Sequence, residues 1–192
     1  MANYLNTILK CFKVKKNLTL ILAVIFILGV ILGVVLSFSE DFACFYKDFL
    51  FDYFNRILSR ETFGVSYLFK RVFSLVVLFL VVALLSLNKY TFYVIFLILF
   101  YRAYIIGLAF KLFLSELLIS GMFFFLFLVL VSGFFTSLAI AIFICFKYCK
   151  SNVNNVEFTI KTYLFSLSVA VIGAILEFIF IVAIFRPFNF NF

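Results

Sequence analysis

Residues 17–38 read NLTLILAVIFILGVILGVVLSF, a run of 22 residues without a charge. At about 1.5 Å per residue, a helix of this length reaches across a hydrocarbon core of about 30 Å. Lys10, Lys13, Lys15 and Lys16 precede the run, and Glu40 and Asp41 follow it. Basic residues favour the cytoplasmic side, so these flanks predict a cytoplasmic N-terminus. The run is long for the apolar core of a cleaved leader, and no small-x-small cleavage pattern follows it, so it reads as a retained helix.

The rest of the chain has the same character. Of its 192 residues, 68% are hydrophobic and 12% charged, with a mean hydropathy of +1.32. A soluble domain carries about a quarter charged residues, and one of this size has too little interior to hide so much apolar surface. Four further apolar runs follow, at about 70–87, 90–110, 117–146 and 162–185. Lys70 and Arg71 open the second span, Asn88-Lys89 forms the turn to the third, and Lys111 to Glu116 reads as a loop. Gly121 or Gly133 is placed to break or tilt the long fourth run, and Arg186-Pro187 stops the last. The fold class predicted is all-α: a polytopic integral membrane protein of about five transmembrane helices, forming one membrane domain over residues 1–192. Five crossings from a cytoplasmic start put the C-terminus outside. The basic residues divide eight inside against seven outside, so orientation rests on the first helix.

Between the first two spans, Phe42, Phe45, Phe49, Tyr53 and their neighbours recur at helical spacing, with Lys47, Asp48, Asp52 and Arg56 on the other face. This predicts an extracytoplasmic amphipathic helix at about 41–60, lying on the membrane surface or docking a partner.

Several function classes lack their chemistry. The chain has no His, which removes Ser-His pairs, HExxH and His-based metal sites. Every Asp (Asp41, Asp48, Asp52) lies in the first loop, so no aspartyl dyad sits inside a span, and no phosphate-binding glycine loop is present. Cys145 and Cys149 lie one helical turn apart, but with no His and no third nearby sulfur the four Cys suggest neither zinc nor a disulfide framework. The expectation is no enzyme, no catalytic residue, no metal and no cofactor. The net charge of +8 sits mostly at span ends, where topology needs it, so nucleic acid is not an expected partner; the bilayer is.

Two ionisable residues fall inside spans, Arg102 and Glu177, at similar depths of about 18 and 22 Å from the cytoplasmic starts of their helices. The expectation is an Arg102–Glu177 ion pair joining the third and fifth helices. Glu177 shares a face with Ala170, Gly173 and Ala174, small residues that permit close helix approach, and Gly29 and Gly33 form a GxxxG in the first helix.

Together these features resemble the stage II sporulation protein M family across nearly the whole chain. The basic start followed by Phe26-Ile27-Leu28-Gly29-Val30-Ile31-Leu32-Gly33 looks like that family's first helix. Asp48-Phe49-Leu50-Phe51-Asp52-Tyr53-Phe54 and Tyr67-Leu68-Phe69 are similar to its extracellular segment. Arg102-Ala103-Tyr104-Ile105-Ile106-Gly107 and Leu176-Glu177 match its intramembrane basic and terminal-helix positions, with Gly107 as a packing residue. The chain departs from the family at the turn Leu87-Asn88-Lys89, where Gly and Pro are usual, and in the late Pro187. The resemblance implies a non-enzymatic membrane scaffold that anchors peptidoglycan-remodelling hydrolases, stage II sporulation proteins D and P, during endospore engulfment, with the first loop as docking face. The rival reading is a membrane subunit of a small transporter or permease, with Arg102 and Glu177 lining a path.

Overall fold

The computed structural model describes residues 16–35, 65–88, 90–149 and 156–185. The amphipathic segment expected at 41–60, with Phe42, Phe45, Phe49 and Tyr53, lies outside them. The described residues are helical throughout except at short turns. Helix α1 spans Lys16–Val35 and α2 spans Val65–Leu87. A 3-10 turn at Thr91–Tyr93 leads into α3, Val94–Phe124. A π-helical stretch, Phe125–Leu130, precedes α4, Val131–Cys149. Helix α5, Val156–Phe180, ends in a second π-helical turn, Ile181–Phe185. Where the solvent is hydrocarbon, each backbone N–H and C=O needs a partner within its own segment, and helices meet that need.

Five stretches among the described residues are long and apolar enough to cross a membrane: Lys16–Val35, Ser66–Leu87, Thr91–Ser115, Val131–Tyr148 and Ile160–Ala183. Their packing register alternates as five crossings require. Gly29 lies against Phe100 and Ala103, and Gly33 against Tyr104 and Leu108, so residue numbers rise together and α1 runs parallel to α3. Gly173 of α5 meets Phe135 of α4, while Glu177 and Ser132 share a partner further along. Numbers there rise in opposition, so α4 and α5 are antiparallel.

Phe79 and Val82 of α2, Ile95 and Leu99 of α3, and Ile140 and Phe143 of α4 are buried in the core. The outer faces are also apolar: Ile27, Phe69, Phe73, Leu84, Leu97 and Ile172 are exposed. A soluble bundle carries polar residues there; this exterior is compatible with a multi-pass membrane protein.

Three boundaries differ from the sequence reading. Helix α2 begins at Val65, so Lys70 and Arg71 lie within it and do not mark its edge. Residues 111–116, expected as a loop, are helical. The fourth apolar stretch is Val131–Tyr148 in place of 117–146. The physical reason is shared: a charged residue ends an apolar run without ending the backbone hydrogen-bond ladder. The chain reverses between Phe113 and Phe125. Their ring centroids lie 6.3 Å apart, whereas twelve residues of straight helix would separate them by about 18 Å. Gly121 falls inside this reversal and Gly133 beyond it, in α4.

The α2–α3 hairpin is closed by side-chain hydrogen bonds. The Thr91 hydroxyl donates to the Leu85 carbonyl at 2.7 Å, and the Tyr90 N–H donates to Asn88 Oδ1 at 3.0 Å. The first ties down a carbonyl that the end of α2 leaves open, and the second caps the N–H of the residue that enters the turn. Thr91→Val is expected to cost about 1 kcal/mol, read as a lower midpoint in detergent-based equilibrium unfolding, with the fold retained.

Candidate functional site

Helix α2 carries Tyr67 and Arg71 four residues apart, so both side chains leave the same face. Opposite them stands Glu177 of α5, 1% exposed. Its stripe-mates Ala170, Gly173 and Ala174 are all buried. A Cβ placed on Gly173 would lie 2.5 Å from the Phe135 Cβ. That closeness lets α4 press against α5 and brings Ser132 to the same level.

The Tyr67 hydroxyl donates to Glu177 Oε1 at 2.6 Å, and Arg71 Nε donates to Oε2 at 3.2 Å. A terminal guanidinium nitrogen of Arg71 donates to the Ser132 hydroxyl at 2.8 Å. The backbone carbonyl of Ser132 accepts from the Thr136 hydroxyl at 2.8 Å. Three helices, α2, α4 and α5, thus meet in one polar cluster, with a donor on each carboxylate oxygen.

The expected Arg102–Glu177 pair is corrected here: the guanidinium on Glu177 belongs to Arg71. Equal depth is necessary for a pair but does not fix which way a side chain leaves its helix. Arg102 carries no ion pair among the described residues, although Ile106, one turn on along the same face, packs in the cluster that holds Tyr67 and Phe178. Arg102 is half-buried. Tyr67, Arg71 and Ser132 were not singled out as site residues. The available signal was that a lone acid in an apolar helix requires a base, together with the Tyr67–Arg71 spacing once Arg71 is allowed inside the helix.

Gly29, Gly33 and Gly107 form a second constellation, a seam between α1 and α3. A Cβ on Gly29 would lie 2.7 Å from Ala103 Cβ and 2.8 Å from the Phe100 carbonyl oxygen. One on Gly33 would meet the Tyr104 carbonyl oxygen and one on Gly107 the Val30 carbonyl oxygen. Beside this seam, Thr19, Leu22, Phe26, Leu99, Ser137 and Ala141 line an apolar cleft of about 240 Å³.

No family model, curated protein or solved structure matches the chain. The resemblance to the stage II sporulation protein M family therefore rests on the residue patterns quoted above. In chemical terms, the cluster is a carboxylate held by a phenol and a guanidinium among apolar helices. Among the described residues, no group of three His, Cys, Asp or Glu side chains comes together to hold a metal.

Proposed function

We propose that this chain is a multi-pass membrane scaffold without enzymatic activity. Its five apolar helices cross the bilayer, with the N-terminus in the cytoplasm and the C-terminus outside. The segment between α1 and α2 faces the extracytoplasmic side and docks partners. The observation that carries this reading is the Tyr67–Arg71–Glu177–Ser132 cluster. Intramembrane charges that bind each other across three helices hold a bundle in one arrangement, which is what an anchor for other proteins needs. The family resemblance extends the proposal to partners that remodel peptidoglycan, with Phe42, Phe45, Phe49 and Tyr53 on the docking face.

One observation favours the rival transporter reading: Glu177 is a buried carboxylate in a helix long enough to span, and such residues also mark ion and proton paths. A photo-crosslinking amino acid at Phe49, expressed in the native membrane, separates the two. Capture of a cell-wall hydrolase is the expected result. Capture of an ATPase or a solute-binding protein, with no hydrolase, replaces the scaffold with a transporter subunit.

A further inference from the structure

The apolar cleft between α1, α3 and α4 opens on the outside of the bundle. Leu22 and Leu99 are buried at its floor, while Ala23 and Phe134 on its rim are exposed. Its volume of about 240 Å³ exceeds the roughly 150 Å³ of an engineered apolar cavity that takes up benzene. Thr19 and Phe26 both line it and lie about 10 Å apart along α1, so the cleft runs lengthwise. That shape suits a chain better than a ring.

One end of the cleft meets positive charge. Helix α1 runs parallel to α3. Helix α4 runs against α3, because Gly133 meets Ile106 whereas Ala141 shares the cleft with Leu99. The start of α1 and the end of α4 therefore lie at the same end of the bundle. Lys16 stands three residues before Thr19 and Tyr148 seven after Ala141, so helical spacing sets both on the cleft side of their helices. Both are exposed. Lys147 puts a second charge at this end, and in sequence Lys13 and Lys15 precede Lys16 while Lys150 follows Cys149. The eight basic residues assigned to the cytoplasmic side face a single acid, Glu157.

A lysine at the end of a span keeps its ammonium among the headgroups while its stem covers apolar surface. Basic pockets between helices on the cytoplasmic side match anionic headgroups. We propose that the cleft binds an anionic phospholipid of the cytoplasmic leaflet. One acyl chain lies along the cleft from Thr19 toward Phe26, and Lys16 and Tyr148 hold the phosphate. The proposal rests on the membrane reading above and adds a lipid partner to it.

The chain has no tryptophan, so one introduced indole reports on one place. Phe134→Trp puts it on the cleft rim. Ile172→Trp puts it on the exposed face of α5, at similar depth because Gly173 meets Phe135. The full chain is placed in vesicles of phosphatidylcholine and phosphatidylglycerol, with one lipid or the other brominated on its acyl chains to quench the indole. In Phe134→Trp, phosphatidylglycerol is expected to quench as though enriched about fivefold over its bulk fraction, the gain from one basic residue near an anionic surface. In Ile172→Trp the two lipids should quench alike. Added to Phe134→Trp, Lys16→Gln removes most of the enrichment and Lys111→Gln keeps it. Ala141→Phe fills the cleft, leaves every charge in place and abolishes the enrichment. Circular dichroism confirms that each variant stays helical. Equal quenching by the two lipids at the cleft overturns the proposal, as does enrichment undiminished by Lys16→Gln, an exposed change that leaves packing intact. Enrichment that survives Ala141→Phe also overturns it, because the basic residues would then gather lipid without the cleft. A chain that does not float with the vesicles, and is quenched by neither lipid in Ile172→Trp, overturns the membrane reading and the proposal with it.

Discussion

Glu177→Leu is expected to lower the unfolding free energy by about 3–5 kcal/mol, because it leaves the Arg71 guanidinium without its carboxylate between α2 and α5. Arg71→Leu should cost distinctly less. After Arg71→Leu the Tyr67 hydroxyl still donates to Glu177, whereas after Glu177→Leu the guanidinium keeps a charge that it cannot lose. The asymmetry sets this cluster apart from a neutral hydrogen-bond network, in which either deletion would cost a similar small amount. Tyr67 and Ser132 each bond a charged group, and such bonds are worth about 1.5–3 kcal/mol, so Tyr67→Phe and Ser132→Ala should each cost less than Glu177→Leu. Equilibrium unfolding in mixed micelles checks all four. The double variant Arg71→Leu/Glu177→Leu should recover part of the loss, with a coupling above about 1 kcal/mol between the two sites. The same cycle run on Arg102 and Glu177 should give a smaller coupling, because no ion pair joins those two among the described residues. A large coupling there, with none at Arg71, would restore the pairing expected from depth alone.

The second large effect is expected at the α1–α3 seam. A side chain at Gly33 would run into the Tyr104 carbonyl oxygen and approach the Leu108 nitrogen to 2.8 Å. At Gly107 it would meet the Val30 carbonyl oxygen. Those obstacles are helix backbone, which cannot rotate aside as a side chain does, so the helices must part. Overpacking a well-filled contact costs about 1–3 kcal/mol even where neighbours adjust; Gly33→Leu and Gly107→Leu should reach or exceed the upper figure. Gly133 is the contrast. An added Cβ there meets only the Ile106 side chain, Cδ1 at 2.8 Å, which can change rotamer. Glycine is about 1 kcal/mol worse than alanine inside a helix, so Gly133→Ala should be neutral to slightly stabilising. Protease resistance in native membranes, together with micelle unfolding midpoints, would show the order. If Gly33→Leu matched Gly133→Ala, α1 would not sit on α3 as described.

The number of apolar helices was legible in the sequence because it rests on local pattern, whereas the glycine spacing marked a close contact without naming the helix that meets it. An uncharged run of 22 residues at 17–38 and the Gly29-x-x-x-Gly33 spacing each have few structural meanings. The reversal between Phe113 and Phe125 was less legible. Neither Lys111 nor Glu116 interrupts the helix there, and Gly121 is the single helix breaker between the two rings. The partner of Glu177 was misread for a different reason. Axial depth follows from counting residues, but the direction in which a side chain leaves its helix depends on how every helix is rotated, and contacts between distant segments set that. Treating Lys70 and Arg71 as a span boundary removed the correct partner from consideration. The one-turn spacing of Tyr67 and Arg71 would have kept it.

The separation of Arg71 and Glu177 along the chain, 106 residues, also bears on how the protein is made. Helix α2 leaves the ribosome long before α5 exists. At about 5–20 residues per second, its arginine waits roughly 5–20 s for the carboxylate. During that interval the guanidinium lacks this partner, and the α2–α5 contact closes only when α5 arrives. A product truncated before residue 177 therefore lacks the carboxylate with which Arg71 pairs.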